Sequence, residues 1–147
     1  MPMKPTTALD VTIQLQYLRL LKDIQAQTGL AIIFITHDFG VVARMCDRVA
    51  VMYAGRIVEE GTCRELFNNP SHPYTQALIS SVPKLEERVE RLYSIDGQPP
   101  LLSDLPNGCR FEPRCPHAKD QCIAEYPPSF IVDSGHSADC WRLDPSW

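Results

Sequence analysis

Between residues 11 and 28, apolar side chains return at Ile13, Tyr17, Leu20, Leu21 and Ile24, a spacing that falls on one face of an α-helix. Asp10 supplies a capping side chain just ahead of them, and Gly29 ends the run. Residues 30–35 read Leu-Ala-Ile-Ile-Phe-Ile, a continuous apolar stretch rich in β-branched residues, which predicts a strand buried on both faces of a parallel sheet. Asp38 can cap a second short helix running to Cys46. Residues 49–53 and 56–60 flank Ala54-Gly55, which predicts a tight hairpin. Two further short helices are predicted over residues 63–69 and 72–82, separated by Asn-Pro-Ser-His-Pro. The expected class is α/β, a parallel sheet with flanking helices.

From Pro83 onward this periodicity fades, and only residues 85–93 still suggest a short helix. Eleven of the 13 prolines lie at or beyond Pro70, and four of the six cysteines lie in the last 39 residues. Prolines at that density leave little room for regular helix or ladder, so this half needs another source of order. The change places a domain boundary within residues 83–97, giving a first domain of residues 1–82 and a second, mostly irregular one of residues 83–147. No internal repeat or low-complexity tract is evident. A net charge of −4 gives no electrostatic reason for sequence-independent binding to nucleic acid or acidic membranes. The apolar runs are far shorter than the ~20 residues that span a bilayer, and no apolar signal core is seen, so the expectation is a cytoplasmic chain.

The candidate chemistry of the second half is Cys109-x5-Cys115-x6-Cys122-x17-Cys140. Disulfides do not suit a chain read as cytosolic. Four thiolates suit structural zinc, although zinc ligands usually come in closer pairs. They equally suit an iron-sulfur cluster, whose spacings vary more. From spacing alone, zinc and iron-sulfur stay open. His117 and His136 are further potential ligands that four cysteines make unnecessary. Arg110 and Arg114 beside the cluster are either solvated or offset its negative charge, and Cys46 and Cys63 read as small packed residues.

The run Pro5-Thr6-Thr7-Ala8-Leu9-Asp10, then a helix, an apolar strand and Ile35-Thr36-His37-Asp38, resembles in order and spacing the second half of an ATP-binding-cassette nucleotide-binding domain. The resemblance continues through residues 40–43 and 46–61 and through His72-Pro73-Tyr74-Thr75. Gly108 to Cys115, with its Gly-Cys-x-Phe-x-Pro-Arg-Cys pattern, is similar to the extension of the ATP-binding subunits of oligopeptide, dipeptide and nickel importers. The match covers residues 5 to 140. It implies that Asp10 is the D-loop aspartate at the interface of two cassettes. It implies that His37 is the switch histidine, which contacts the ATP γ-phosphate and orients the attacking water; in phosphoryl transfer most of the work is positioning and charge stabilisation. It also implies a 4Fe-4S cluster on Cys109, Cys115, Cys122 and Cys140, with zinc as the alternative. The implied partners are permease subunits and a second ATP-binding subunit, on the inner face of the cell membrane.

Departures from that pattern bear on activity. Where the family carries its magnesium-binding aspartate and catalytic glutamate, this chain has Met3 and Lys4, and lysine can neither accept the water's proton nor ligate Mg²⁺ as a carboxylate does. The sequence contains no Gly-x-x-x-x-Gly-Lys-Ser/Thr phosphate loop and no Ser-Gly-Gly signature. ATPase activity is therefore not expected of the chain by itself, since ATP and Mg²⁺ belong to a complete subunit. A central strand at residues 30–36 also needs neighbours that this sequence does not offer, so the isolated chain should be only partly ordered unless the N-terminal half of a cassette supplies them. Two other readings remain: a non-enzymatic iron-sulfur or zinc module, and an inert gene remnant.

Overall fold

The computed structural model describes residues 11–82 and 95–147. Asp10, the motif ahead of it with Met3 and Lys4, and the helix expected over residues 85–93 lie outside the described residues. The chain forms two compact units, residues 1–46 and 47–147.

In the first unit, α1 (Val11–Thr28) and α2 (Phe39–Met45) are joined by an extended segment. Asp38 caps α2 as expected, its Oδ1 accepting the N–H groups of Gly40 and Val41 at 2.8 and 3.2 Å. Leu18, Val41 and Met45 make the small core, with Leu21, Phe34 and Cys46 packed against it. The expected core face of α1 is corrected in part. Ile13, Tyr17, Leu20 and Ile24 are exposed, while burial follows Leu18 and the half-buried Gln14, Leu21 and Gln25. A helix bearing two apolar stripes buries whichever one meets a neighbour, and here α2 meets Leu18.

The strand expected at residues 30–36 is also corrected. The segment is extended but has no ladder among the described residues, and Ile33 and Ile35 are 88% and 98% exposed. A buried parallel strand is defined by neighbours on both edges, and without them only its alternation survives, with Ile32 and Phe34 turned inward.

The second unit carries the sheet. β1 (Arg48–Tyr53) and β2 (Arg56–Thr62) form the expected hairpin. Ala54 and Gly55 both have positive φ, 45° and 82°, the pair of angles that a type I′ turn demands. β3 (Phe130–Asp133) and β4 (His136–Ala138) form a second hairpin, and the strand order is β1-β2-β4-β3 with every pair antiparallel. The class is α/β as expected, but the expected parallel sheet is corrected to an antiparallel one. Each hairpin here closes through a tight turn, which only antiparallel strands allow, and the two hairpins meet with β2 and β4 antiparallel.

Helices α3 (Cys63–Asn68), α4 (Pro73–Ser80) and α5 (Asp120–Ala124) and two 3₁₀ turns, Glu112–Arg114 and Trp141–Leu143, complete the unit. Thr62 and Glu65 form a reciprocal capping box on α3. Phe111, 1% exposed, is the keystone of the core: its ring centroid lies 5.2 Å from Tyr53, 5.4 Å from Tyr74 and 5.9 Å from His72. No helix among the described residues is long and apolar enough to cross a membrane.

Candidate thiol centre and its buried carboxylate

The four cysteines singled out in the sequence reach one neighbourhood by different routes. Cys109 precedes the Glu112–Arg114 turn and Cys115 follows it. Cys122 sits in α5, and Cys140 lies just beyond β4. The Cys109 N–H donates to the Cys122 carbonyl at 2.8 Å, tying two of the limbs directly. The thiols sense one another electrostatically: Cys109 feels Cys122, Cys140 and Cys115, and Cys140 feels Cys115 and Cys122. None of these four cysteines is in a disulfide.

Burial pushes the Cys109 and Cys140 thiols up to about 11 and raises Cys115 as well. Opposing this, each sulfur accepts a backbone N–H from two residues further on: Phe111 for Cys109, His117 for Cys115, Arg142 for Cys140. An N–H aimed at sulfur favours the thiolate, the form that binds metal. The Arg142 guanidinium draws Cys115 and Cys140 the same way. Among the described residues, no group of three or more His, Cys, Asp or Glu side chains is placed to hold a metal ion. Four cysteine sulfurs are by their chemistry donors for a thiophilic metal.

The neighbouring cations are not where sequence reasoning put them. Arg110 donates to the Ala54 carbonyl, and Arg114 donates to the carbonyls of Asp96 and Ile95 and to the Tyr53 hydroxyl. Both are fastened to the hairpin and to residues 95–96, and the guanidinium acting on the thiols is that of Arg142. His136 is likewise engaged elsewhere: its Nε2 lies 2.7 Å from Glu59 Oε1, both residues being buried. His117 is exposed.

Glu59 was not singled out in the sequence. Its Oε1 also accepts the Ser71 N–H at 2.6 Å, and its Oε2 accepts the His72 N–H at 3.0 Å. His72, 1% exposed, caps α4 by accepting the Tyr74 N–H on Nδ1 at 3.0 Å. Burial lowers its pKa to about 4 against the raising influence of Glu59, and protonating Nδ1 would also break the cap. The native state therefore binds fewer protons than the unfolded chain between the ordinary histidine value and about 4. Stability is fully present above pH ~6.5 and falls as the pH drops through that window, by up to roughly 2–3 kcal/mol near pH 4. Urea unfolding at pH 7 and pH 4.5 should show this loss, and His72→Asn, which keeps a capping side chain, should flatten it. An unchanged slope in the variant would assign the acid sensitivity to another group.

His37, the expected switch residue, lies in the first unit, exposed in the bend between the extended segment and α2. Thr36 Oγ1 accepts the Asp38 N–H at 3.0 Å beside it. Asp10 is outside the described residues.

The second unit is a small α/β fold whose antiparallel sheet and four-cysteine segment belong to one compact body. Residues 58–122 match the family described as oligopeptide/dipeptide transporter, C-terminal region. The chain is 50% identical over 141 residues, 96% of its length, to the dipeptide transport ATP-binding protein DppD of Bacillus subtilis, covering 42% of that protein. It is 46% identical to the oligopeptide transport ATP-binding protein AppD of the same organism over 141 residues, 96% of the chain and 43% of the relative. To the oligopeptide transport ATP-binding protein OppD of Haemophilus influenzae it is 48% identical over 138 residues, 94% of the chain and 42% of the relative. Over nearly its whole length the chain is similar to these ATP-binding proteins of dipeptide and oligopeptide transport, and residues 58–122 carry the match to the C-terminal region. It spans about two fifths of the length of these relatives.

Proposed function

We propose that the chain serves as the part of a peptide-importer ATP-binding subunit that carries the switch histidine and a thiol-bound metal appendage, and that it takes part in ATP hydrolysis only with the rest of a cassette. The observation that carries this reading is the 46–50% identity, over 94–96% of the chain, to proteins named for ATP binding in peptide transport. In the complete subunit, His37 would face the γ-phosphate and Asp10 the second ATP-binding subunit, while ATP and its Mg²⁺ are held chiefly by groups this chain does not carry. The subunit would act at the inner face of the membrane against permease subunits, residues 1–82 serving as cassette and residues 83–147 as appendage. The exposed Ile33 and Ile35 support this, since the remaining strands of a cassette would cover them.

Titrating Mg-ATP into the isolated chain should give no measurable binding at ligand concentrations up to about 1 mM, where even a weak site of roughly 4 kcal/mol would register. A micromolar affinity would overturn the account of the missing phosphate loop. In a subunit completed with a cassette's N-terminal half that supplies the magnesium-binding aspartate and catalytic glutamate in place of Met3 and Lys4, ATP hydrolysis should appear, and His37→Ala should lower kcat by about 10²- to 10³-fold, as loss of one preorganised electrostatic group does.

For the appendage we infer a 4Fe-4S cluster on Cys109, Cys115, Cys122 and Cys140, with zinc as the alternative occupant. The electrostatic proximity of the four sulfurs and the amide N–H groups aimed at three of them support it. Bound metal would supply cross-linking of a segment with little regular structure. Anaerobic purification should yield a brown protein containing iron and acid-labile sulfide; zinc alone in elemental analysis would assign the site to zinc.

A further inference from the structure

Glu59 is a carboxylate at a strand position where an apolar side chain would serve pairing equally well, and at 1% exposure its burial is costly unless every lone pair finds a donor. What it holds explains its presence. One limb is β4: Glu59 pairs with Ala138 and Glu60 with Ser137, the Asp139 N–H donates to the Val58 carbonyl at 2.9 Å, and Cys140 is the next residue. The His136 ring at the start of β4 is fastened to Glu59 Oε1 at 2.7 Å. The other limb runs through the Ser71 and His72 amides, both donating to the same carboxylate. They set the His72 ring 5.9 Å from Phe111, which lies between Cys109 and Cys115 and gives its own N–H to the Cys109 sulfur.

We propose that Glu59 is a positioning residue for the cysteine centre, one carboxylate that fixes the approach of Cys140 to Cys109 and Cys115 by gripping both limbs at once. Supporting groups of this kind hold ligands in register, and their loss typically weakens metal binding by about 10- to 100-fold. The inference rests on the metal reading above.

The test uses the full chain reconstituted anaerobically with ferrous iron and sulfide, and separately with zinc. Metal loss to excess EDTA is followed by elemental content and, for iron, by visible absorption. Glu59→Ala should lose metal about 10- to 100-fold faster than the unsubstituted chain. Glu59→Gln should recover only part of the retention, since the Ser71 and His72 amides sit on different carboxylate oxygens and the NH₂ of glutamine must face one of these two donors. Thr62→Ala, which removes the α3 capping box, should lower the unfolding midpoint without hastening metal loss. Glu59→Ala losing metal no faster than Thr62→Ala or the unsubstituted chain would overturn the proposal while leaving the metal reading intact. An unsubstituted chain that takes up neither metal overturns both. If Glu59→Ala does not fold, His136→Ala, which frees one limb only, carries the test: it should hasten metal loss about 10-fold, and an unchanged rate overturns the proposal.

Discussion

With the proposed metal held by the four cysteines, Cys109→Ser or Cys140→Ser is expected to abolish its binding and to lower the unfolding midpoint of the second unit by about 10 °C or more, a loss of a few kcal/mol in a domain of this size. A serine hydroxyl keeps the shape of cysteine but does not ionise to a soft ligand near neutral pH, so iron and zinc lose a bond that water replaces poorly. The structural consequence follows from how little else orders residues 95–129. They contain one five-residue helix and one 3₁₀ turn, and they reach the core mainly through Phe111. Without metal, the burial of Cys109 and Cys140 is burial of protonated thiols, held near 11 and giving no cross-link. Iron, zinc and sulfide content, measured with the thermal midpoint, checks both halves of the expectation. Cys46→Ser and Cys63→Ser, outside the four-cysteine set, should retain full metal. Stoichiometric metal in Cys109→Ser would remove that residue from the ligand set.

Gly108→Ala should be nearly as damaging for a different reason. A Cβ at this position would stand 2.1 Å from the Cys122 carbonyl oxygen and 2.6 Å from that of Ile123, both backbone atoms that cannot swing aside. The neighbouring Cys109 N–H bond to the Cys122 carbonyl holds the two segments at this separation, so relief requires breaking it. The expected cost is about 3 kcal/mol or more, at the upper end for overpacking. Equilibrium urea unfolding measures it, and a drop below about 1 kcal/mol would mean that the two segments can separate freely. Gly29→Ala is a useful contrast. Nothing lies within 4 Å of its Cβ, so only the left-handed backbone conformation at φ +69° is strained, at about 1–2 kcal/mol.

The parts of the fold legible in the sequence are those decided within a few residues. Asp38 capping α2, the positive-φ pair at Ala54-Gly55 and the helices near residues 63–68 and 73–80 each depend on local chemistry, and each stands where the residues put it. The second hairpin was hidden although Phe130-Ile131-Val132 and the turn at Ser134-Gly135 carried its signal. Its strands are only four and three residues long and follow Pro127-Pro128, so a proline-rich reading masked them. Of the candidate site, the cysteine set was legible by residue type. The Glu59, His72 and His136 network was not, because residues separated by up to 77 positions share one carboxylate.

By itself the sequence determined the local elements, the four-cysteine pattern and the resemblance to ATP-binding proteins of peptide transport. Those follow from residue identity and short spacing, which survive whatever the rest of the chain does. Only the tertiary structure decided which stripe of α1 is buried, that residues 30–36 have no ladder among the described residues, that β4 pairs with β2, and that Arg142 rather than Arg110 or Arg114 acts on the thiols. The reason is physical. Burial, strand pairing and ion contact are properties of two surfaces meeting, and a pattern along one segment specifies what it can offer without specifying which surface it will find.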